Sequence, residues 1–189
     1  MARLVRKSPL GGQTKIELSG LQIHVEPHLG KVSLQIAPDA ASLKAVRQAI
    51  GLTPSQQPNR FMGKDVQCAW LAPKAWLLLC PPGEERKLTE KLRSELAADD
   101  HHCVTDVTDR SVALRIIGPL SRDLLAKGCP LDLHPRGFAA GHCARTIFAG
   151  FQIFLQQLDD TPVFRLMIDQ SHAPALWDWL SEAAGEFSV

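Results

Sequence analysis

The chain has 189 residues, 45% of them apolar, which suffices for one large domain or two small modules sharing a core and excludes a disordered protein. Its 21 basic and 20 acidic residues leave a formal charge of +1, no field to draw a phosphate backbone or an anionic bilayer, so neither nucleic acid nor a membrane is expected as partner. No apolar run approaches the roughly 20 residues that span a bilayer, and no signal-like apolar segment follows the basic Arg3, Arg6 and Lys7, so a cytoplasmic protein is expected.

Residues 1–14, basic and broken by Gly11 and Gly12, read as a flexible or partner-ordered arm, with the domain running from 15 to 189. Leu21, Ile23 and Val25 alternate, as do Val32, Leu34 and Ile36, and Pro27–Gly30 between them reads as a turn joining two strands. Pro38 and Asp39 start a helix lined by Leu43, Val46 and Ile50, which Gly51 ends. Thr53–Gly63 has the composition of a surface loop. Val66, Cys68 and Trp70 then alternate, and Trp76–Cys80 is a continuous apolar strand, expected at the centre of a sheet with both faces covered. After the Pro81–Gly83 break, Leu88, Leu92 and Leu96 mark a helix, and a short strand follows at Cys103–Thr105.

The segment DVTDRSVALRIIGPLSRDLLAKGCPLDLHP, Asp106–Pro135, packs a strand, a helix start at Gly118-Pro119 and a stop at Gly128 into a stretch with no spare residues. Val112, Leu114 and Ile116 share one strand face; Leu120, Leu124 and Leu125 share one helix face. Further strands are expected at Arg145–Phe148, Phe151–Leu155 and Val163–Ile168. In the last helix Ala173, Leu176, Trp177, Leu180 and Ala184 form a stripe, with Pro174 tolerated in the first turn. The order implies an α+β fold of two similar strand-strand-helix, ferredoxin-like modules, about 15–105 and 106–189, sharing a core.

No constellation of side chains announces a chemistry by itself. Five cysteines without regular spacing (Cys68, Cys80, Cys103, Cys129 and Cys143) read as reduced thiols, Cys68 and Cys80 as core. His101, His102 and Cys103 are adjacent, as are His142 and Cys143, and adjacent ligands rarely chelate one ion, so no metal site is expected. A zinc or thiol enzyme centred on Cys129, His134 and Cys143 is the weakest reading, because Cys129 follows a helix C-terminus, whose dipole disfavours a thiolate. Asp106, Asp109 and Arg110 read as turn and capping residues, with an ion pair or ligand-binding edge as the alternative. No glycine-rich phosphate loop supports nucleotide binding. Trp177 and Trp179 are two apart on a helix and cannot share a face. Trp179, Trp70 and the terminal Phe187 are therefore interface candidates.

The combination of WLLL, DVTDR, the Gly118-Pro119 pair, LLAKGCPLDLHP and SHAPALWDWL resembles the gamma subunits of heterotetrameric sarcosine oxidase, relatives of the folate-binding domain of glycine-cleavage aminomethyltransferase. The resemblance implies a folate-binding-domain-like fold and a non-catalytic subunit without cofactor of its own, docked on the alpha subunit of an assembly with beta and delta subunits. FAD, FMN, NAD and tetrahydrofolate are implied for the whole complex, and zinc for its delta chain. That complex oxidatively demethylates sarcosine to glycine with peroxide, passing the one-carbon unit to tetrahydrofolate. The interface is expected to bury on the order of 2,000 Å² or more. The alternative is a stand-alone folate-binding one-carbon protein of aminomethyltransferase type. Against it, the paired acids of the catalytic relatives are reduced here to Lys64-Asp65, leaving Asp65 as the candidate, and their GYTGE-like loop corresponds to Asp159-Asp160-Thr161-Pro162.

Overall fold

The computed structural model describes residues 7–13, 15–96 and 101–188. In chain order the elements are β1 (Lys15–Leu18), β2 (Leu21–Val25), β3 (Gly30–Gln35), α1 (Ala40–Ile50), β4 (Phe61–Met62), β5 (Gln67–Ala72), β6 (Ala75–Cys80) and α2 (Glu85–Glu95). After these come β7 (Cys103–Asp106), β8 (Ser111–Ile117), α3 (Ser121–Ala126), β9 (Cys143–Phe148), β10 (Phe151–Asp159), β11 (Val163–Asp169) and α4 (Ala173–Gly185). They form two sheets with antiparallel neighbours, a six-stranded one in the order β1-β2-β8-β11-β10-β9 and a five-stranded one in the order β4-β5-β6-β3-β7.

Strand alternation divides the side chains into three layers. Val112, Leu114 and Ile116 of β8 and Phe164, Leu166 and Ile168 of β11 bury against Leu124 and Leu125 of α3 and Leu176, Trp177 and Leu180 of α4. Val32 and Leu34 of β3 and Trp76, Leu78 and Cys80 of β6 bury against Val46 of α1 and Leu88 and Leu92 of α2. The opposite faces meet each other through Ala69, Leu79, Ala113, Cys143, Phe154 and Met167. The result is a helix–sheet–sheet–helix sandwich. β6 lies third of five in its sheet, which is why Trp76–Cys80 is apolar without interruption: one face meets helices, the other meets a sheet.

Local signals operate as the residue types dictate. Asp39 caps α1 by accepting from the Ser42 N–H at 2.8 Å, and Gly51 closes it at φ +77°. The helix expected to open at Gly118-Pro119 begins instead at Ser121. Gly118 serves a close approach: at φ +112° a Cβ there would stand 2.4 Å from the Gly20 carbonyl oxygen, and that same oxygen accepts from the Leu120 N–H at 3.1 Å.

Two further expectations need correction. Pro27–Gly30 is no hairpin turn, because β2 pairs with β8 of the six-stranded sheet while β3 lies in the other; the segment crosses between the sheets. Sheet membership therefore does not follow the division at 105/106, since β1 and β2 complete the sheet of the second half. Of the expected arm, residues 1–6 and 14 lie outside the described residues, and within the remainder Leu10 is buried in the same core cluster as residues of α3 and α4.

Candidate functional site

The two facing sheets part along one side into a cleft of about 550 Å³. Its walls are Lys31 and Ser33 of β3, Leu71 of β5 and Leu77 of β6 on one side, and Arg145 and Ile147 of β9, Phe154 of β10 and Met167 and Asp169 of β11 on the other. A second hollow of about 840 Å³ opens beside it and shares Ser33, Leu71 and Arg145; its further lining includes Lys74, His101, His102 and Cys103.

Charges near the inter-sheet layer are bonded within the protein, and two of them, Lys31 and Arg165, bond across from one sheet to the other. Lys31, 2% exposed, donates from Nζ to the carbonyls of Thr108 (3.1 Å) and Ser111 (2.9 Å), while its N–H donates to Thr108 Oγ1 at 3.0 Å. Asp106 fixes that turn by accepting from the Thr108 N–H at 2.9 Å. Arg110 pairs with Asp169 across 3.2 Å at the cleft rim. The acidic–basic segment Asp106–Arg110 is thus a clamp between β3 and β8, and the arginine's carboxylate partner comes from β11.

Deeper in, Glu26, just past β2, receives Arg165 of β11 at 2.5 Å and also Arg115 of β8. Arg165 donates further to Gln67 Oε1 of β5 at 2.8 Å and to Gln156 Oε1 of β10 at 3.2 Å. Glu26 and Arg165 are each less than a tenth exposed, so the pair survives on mutual charge and on these additional hydrogen bonds. On the opposite side of the six-stranded sheet, Arg122 of α3 holds the loop after that helix. It donates to the Leu133 carbonyl and to Gln157 Oε1 (3.0 Å) and stacks 5.2 Å from the Phe164 ring centroid.

The residues singled out from sequence are dispersed. Asp65 is exposed in the turn before β5 and lines neither hollow. The Asp159–Pro162 turn closes on itself: Asp159 accepts from the Thr161 N–H and hydroxyl, both at 2.9 Å, and these bonds hold its carboxyl below its ordinary range. The carboxylate lining the cleft, Asp169, is tied to Arg110. None of these three carboxylates stands unpaired in the cleft. Burial pushes the Cys68 and Cys143 thiols up to about 12 and Cys80 to about 11, so all three stay protonated at neutral pH. Among the described residues no three His, Cys, Asp or Glu side chains gather to hold a metal ion. His142 Nδ1 instead accepts from the Ala139 N–H (3.0 Å) and Arg60 (2.9 Å).

Trp179 is half-buried and meets Phe148 edge-on at 5.0 Å between ring centroids. Phe187 lies under Lys127, whose Nζ is 4.3 Å from the ring centroid. Trp70 stands opposite Trp76 in register and is half-buried. Sequence reasoning missed Lys31, Glu26, Arg115 and Arg165, because charged residues on strands read as a solvent face. The signal available was their position on the strand faces opposite Val32, Leu114 and Leu166, in strands central enough to be covered twice.

Residues 34–186 match the family described as sarcosine oxidase, gamma subunit. The chain belongs to that family. Among curated members, the sarcosine oxidase subunit gamma of Corynebacterium sp. (strain P-1) is 27% identical over 163 residues, covering 84% of this chain and 77% of that one. That of Corynebacterium sp. (strain U-96) is 30% identical over 120 residues, 64% of this chain and 57% of the other. The gamma-subunit fold is matched over 97% of both chains, with a TM-score of 0.87 and 22% identity, by a chain of the heterotetrameric sarcosine oxidase from Corynebacterium sp. U-96 in complex with pyrrole 2-carboxylate. The glycine cleavage system aminomethyltransferase T from Bartonella henselae shares the fold at a TM-score of 0.61 and 15% identity, over 85% of this chain and 45% of that one. The architecture is accordingly that of an aminomethyltransferase folate-binding domain.

Proposed function

We propose that the chain is a non-catalytic subunit that orders and stabilises the large alpha subunit of a heterotetrameric sarcosine oxidase, with beta and delta subunits in the same complex. The observation that carries this reading, beside family membership, is the use of the inter-sheet charges. Lys31, Glu26, Arg165 and Asp169 are bonded to the protein itself, which commits those four side chains to structural work. The complex would demethylate sarcosine oxidatively to glycine, with peroxide as the reduced product and the one-carbon unit passed to tetrahydrofolate. FAD, FMN and NAD would reside on its larger chains.

Among the described residues no helix is long and apolar enough to cross a membrane. A cytoplasmic complex is part of the same proposal. Trp179, Trp70 and Phe187 are its interface candidates, each half-buried and presenting part of an aromatic ring. The test is to produce the tagged chain in its native host and measure flavin absorbance and sarcosine-dependent peroxide in what co-purifies. Larger flavin-bearing chains with oxidase activity are the expected result; a lone colourless protein would overturn the reading. Trp179→Ala should lower recovery of the partner more than it lowers the thermal midpoint of the free chain.

A further inference from the structure

The outer edge of the six-stranded sheet has a gap. β9 and β10 are joined by the two-residue turn Ala149-Gly150, both at positive φ, with Phe148 opposite Phe151. In that register Phe148, Thr146 and Ala144 bond inward to β10, and the backbone groups of Cys143, Arg145 and Ile147 point outward. The Cys143 N–H is taken by the Asn59 carbonyl at 2.9 Å, and just past the strand the Ala149 N–H is taken by Gly128 at 3.0 Å. Between these two anchors the outward groups of Arg145 and Ile147 meet no strand or loop among the described residues, apart from a 3.5 Å contact of Thr146 Oγ1 with the Ile147 carbonyl.

The side chains at this gap are also open. Ile147 is 51% exposed, one of the two large apolar residues so exposed among the described residues, on an edge strand of the kind that proteins ordinarily blunt with charge or proline. Arg145 lines both hollows and stands at their junction. Lys31, Lys74, Arg110 and Arg145 line the hollows, whereas the carboxylate there, Asp169, is engaged by Arg110, and Lys31 is engaged by two carbonyls. Arg145 and Lys74 have no carboxylate partner among the described residues.

We propose that the Arg145–Ile147 edge and the groove beneath it dock an extended acidic segment of the large alpha subunit, which adds as a strand to β9. Backbone bonding to Arg145 and Ile147 supplies register. A carboxylate on the groove side meets Arg145, and an apolar side chain two residues away packs on Ile147 and Leu71. A second copy of this chain fits worse, since antiparallel self-pairing of β9 would bring two Arg145 side chains onto one face as neighbours. This inference rests on the subunit reading above and names the surface that reading leaves open.

The full chain, co-produced with the flavin-bearing subunits, is compared with Arg145→Glu and Ile147→Asp for affinity. Amide exchange at Arg145 and Ile147 is measured in the unaltered chain, free and assembled. Each substitution should weaken assembly roughly tenfold or more with an unchanged thermal midpoint, and both amides should become protected in the complex. Because exchange is read on the unaltered chain, it decides the matter even where a variant fails to fold. Unchanged affinity together with unprotected amides would overturn the groove while leaving the subunit reading intact. Protection that appears in the isolated chain at high concentration would assign the edge to a second copy and overturn it likewise. Failure of the unaltered chain to recover any flavin-bearing partner would overturn the subunit reading itself.

Discussion

The two layers between sheet and helices and the single layer between the sheets are built on different principles. The outer layers are predominantly apolar, with Trp76, Leu78, Leu114 and Leu166 at no measurable exposure. The middle layer mixes a few apolar residues with a carboxylate, two arginines and a lysine in hydrogen-bonded sets. Burial drives the outer layers without regard to direction, whereas the middle one holds two sheets in a particular relative position because charged groups tolerate little displacement from their partners. What holds the fold and what fixes its geometry are thus separated in space.

The largest effect should come from the outer layers. Trp76→Ala removes a fully buried ring and the 2.8 Å bond from its Nε1 to the Ser55 carbonyl, which anchors the loop before β4. A loss of about 3–5 kcal/mol in denaturant unfolding is expected. In the middle layer, Glu26→Ala strands two arginines and should cost on the order of 3 kcal/mol. The pair Glu26→Leu with Arg165→Met should recover part of that in the same measurement, since it removes the buried charge of Arg165 and leaves only Arg115, 37% exposed, without its carboxylate. A double variant as unstable as the single one would refute the view that this layer contributes geometry more than stability.

Smaller and reversible is the alkaline response. The Cys68 and Cys143 thiols rise from 9.0 to about 12 in the folded chain. Below about pH 9 both states keep these protons; between 9 and 12 the unfolded chain loses protons that the native one retains. Stability should therefore fall as pH rises through that window, and Cys68→Ala/Cys143→Ala should flatten the slope of thermal midpoint against pH. The smallest effect concerns reactivity. Cys103 is exposed and the other four cysteines are buried, so a thiol-specific alkylating agent at neutral pH should modify Cys103 first, and the rest only as the chain unfolds.

The same contrast explains what could be read from the sequence. Outer layers announce themselves by period: Val112, Leu114 and Ile116 at two residues, Ala173, Leu176, Trp177 and Leu180 at three and four. The uninterrupted run at β6 even indicated that both faces are covered. The middle layer gives no such pattern, because Lys31, Arg115 and Arg165 occupy alternate positions that look like a water-facing side until the second sheet is known to lie there. Asp65 was selected by correspondence with other proteins, and correspondence in sequence does not place a carboxylate in a cavity; here it faces solvent. Local signals likewise could not reveal that β2 pairs with β8, for register between distant strands depends on the crossing at residues 26–29.

That crossing bears on how the molecule is made. The β1–β2 hairpin leaves the ribosome long before Leu114, the register partner of Val25, has been synthesised. Until then one flank of β2, with Leu21 and Ile23 on it, has no native neighbour, and an isolated two-stranded hairpin is marginal in water. Cutting the gene at the 105/106 division would make that interval permanent: the first piece would carry a hairpin without its sheet, and the second a β8 stripped of one neighbour. Each half would then present an open strand edge to its own copies, and co-expression of the halves should rescue solubility that neither has alone.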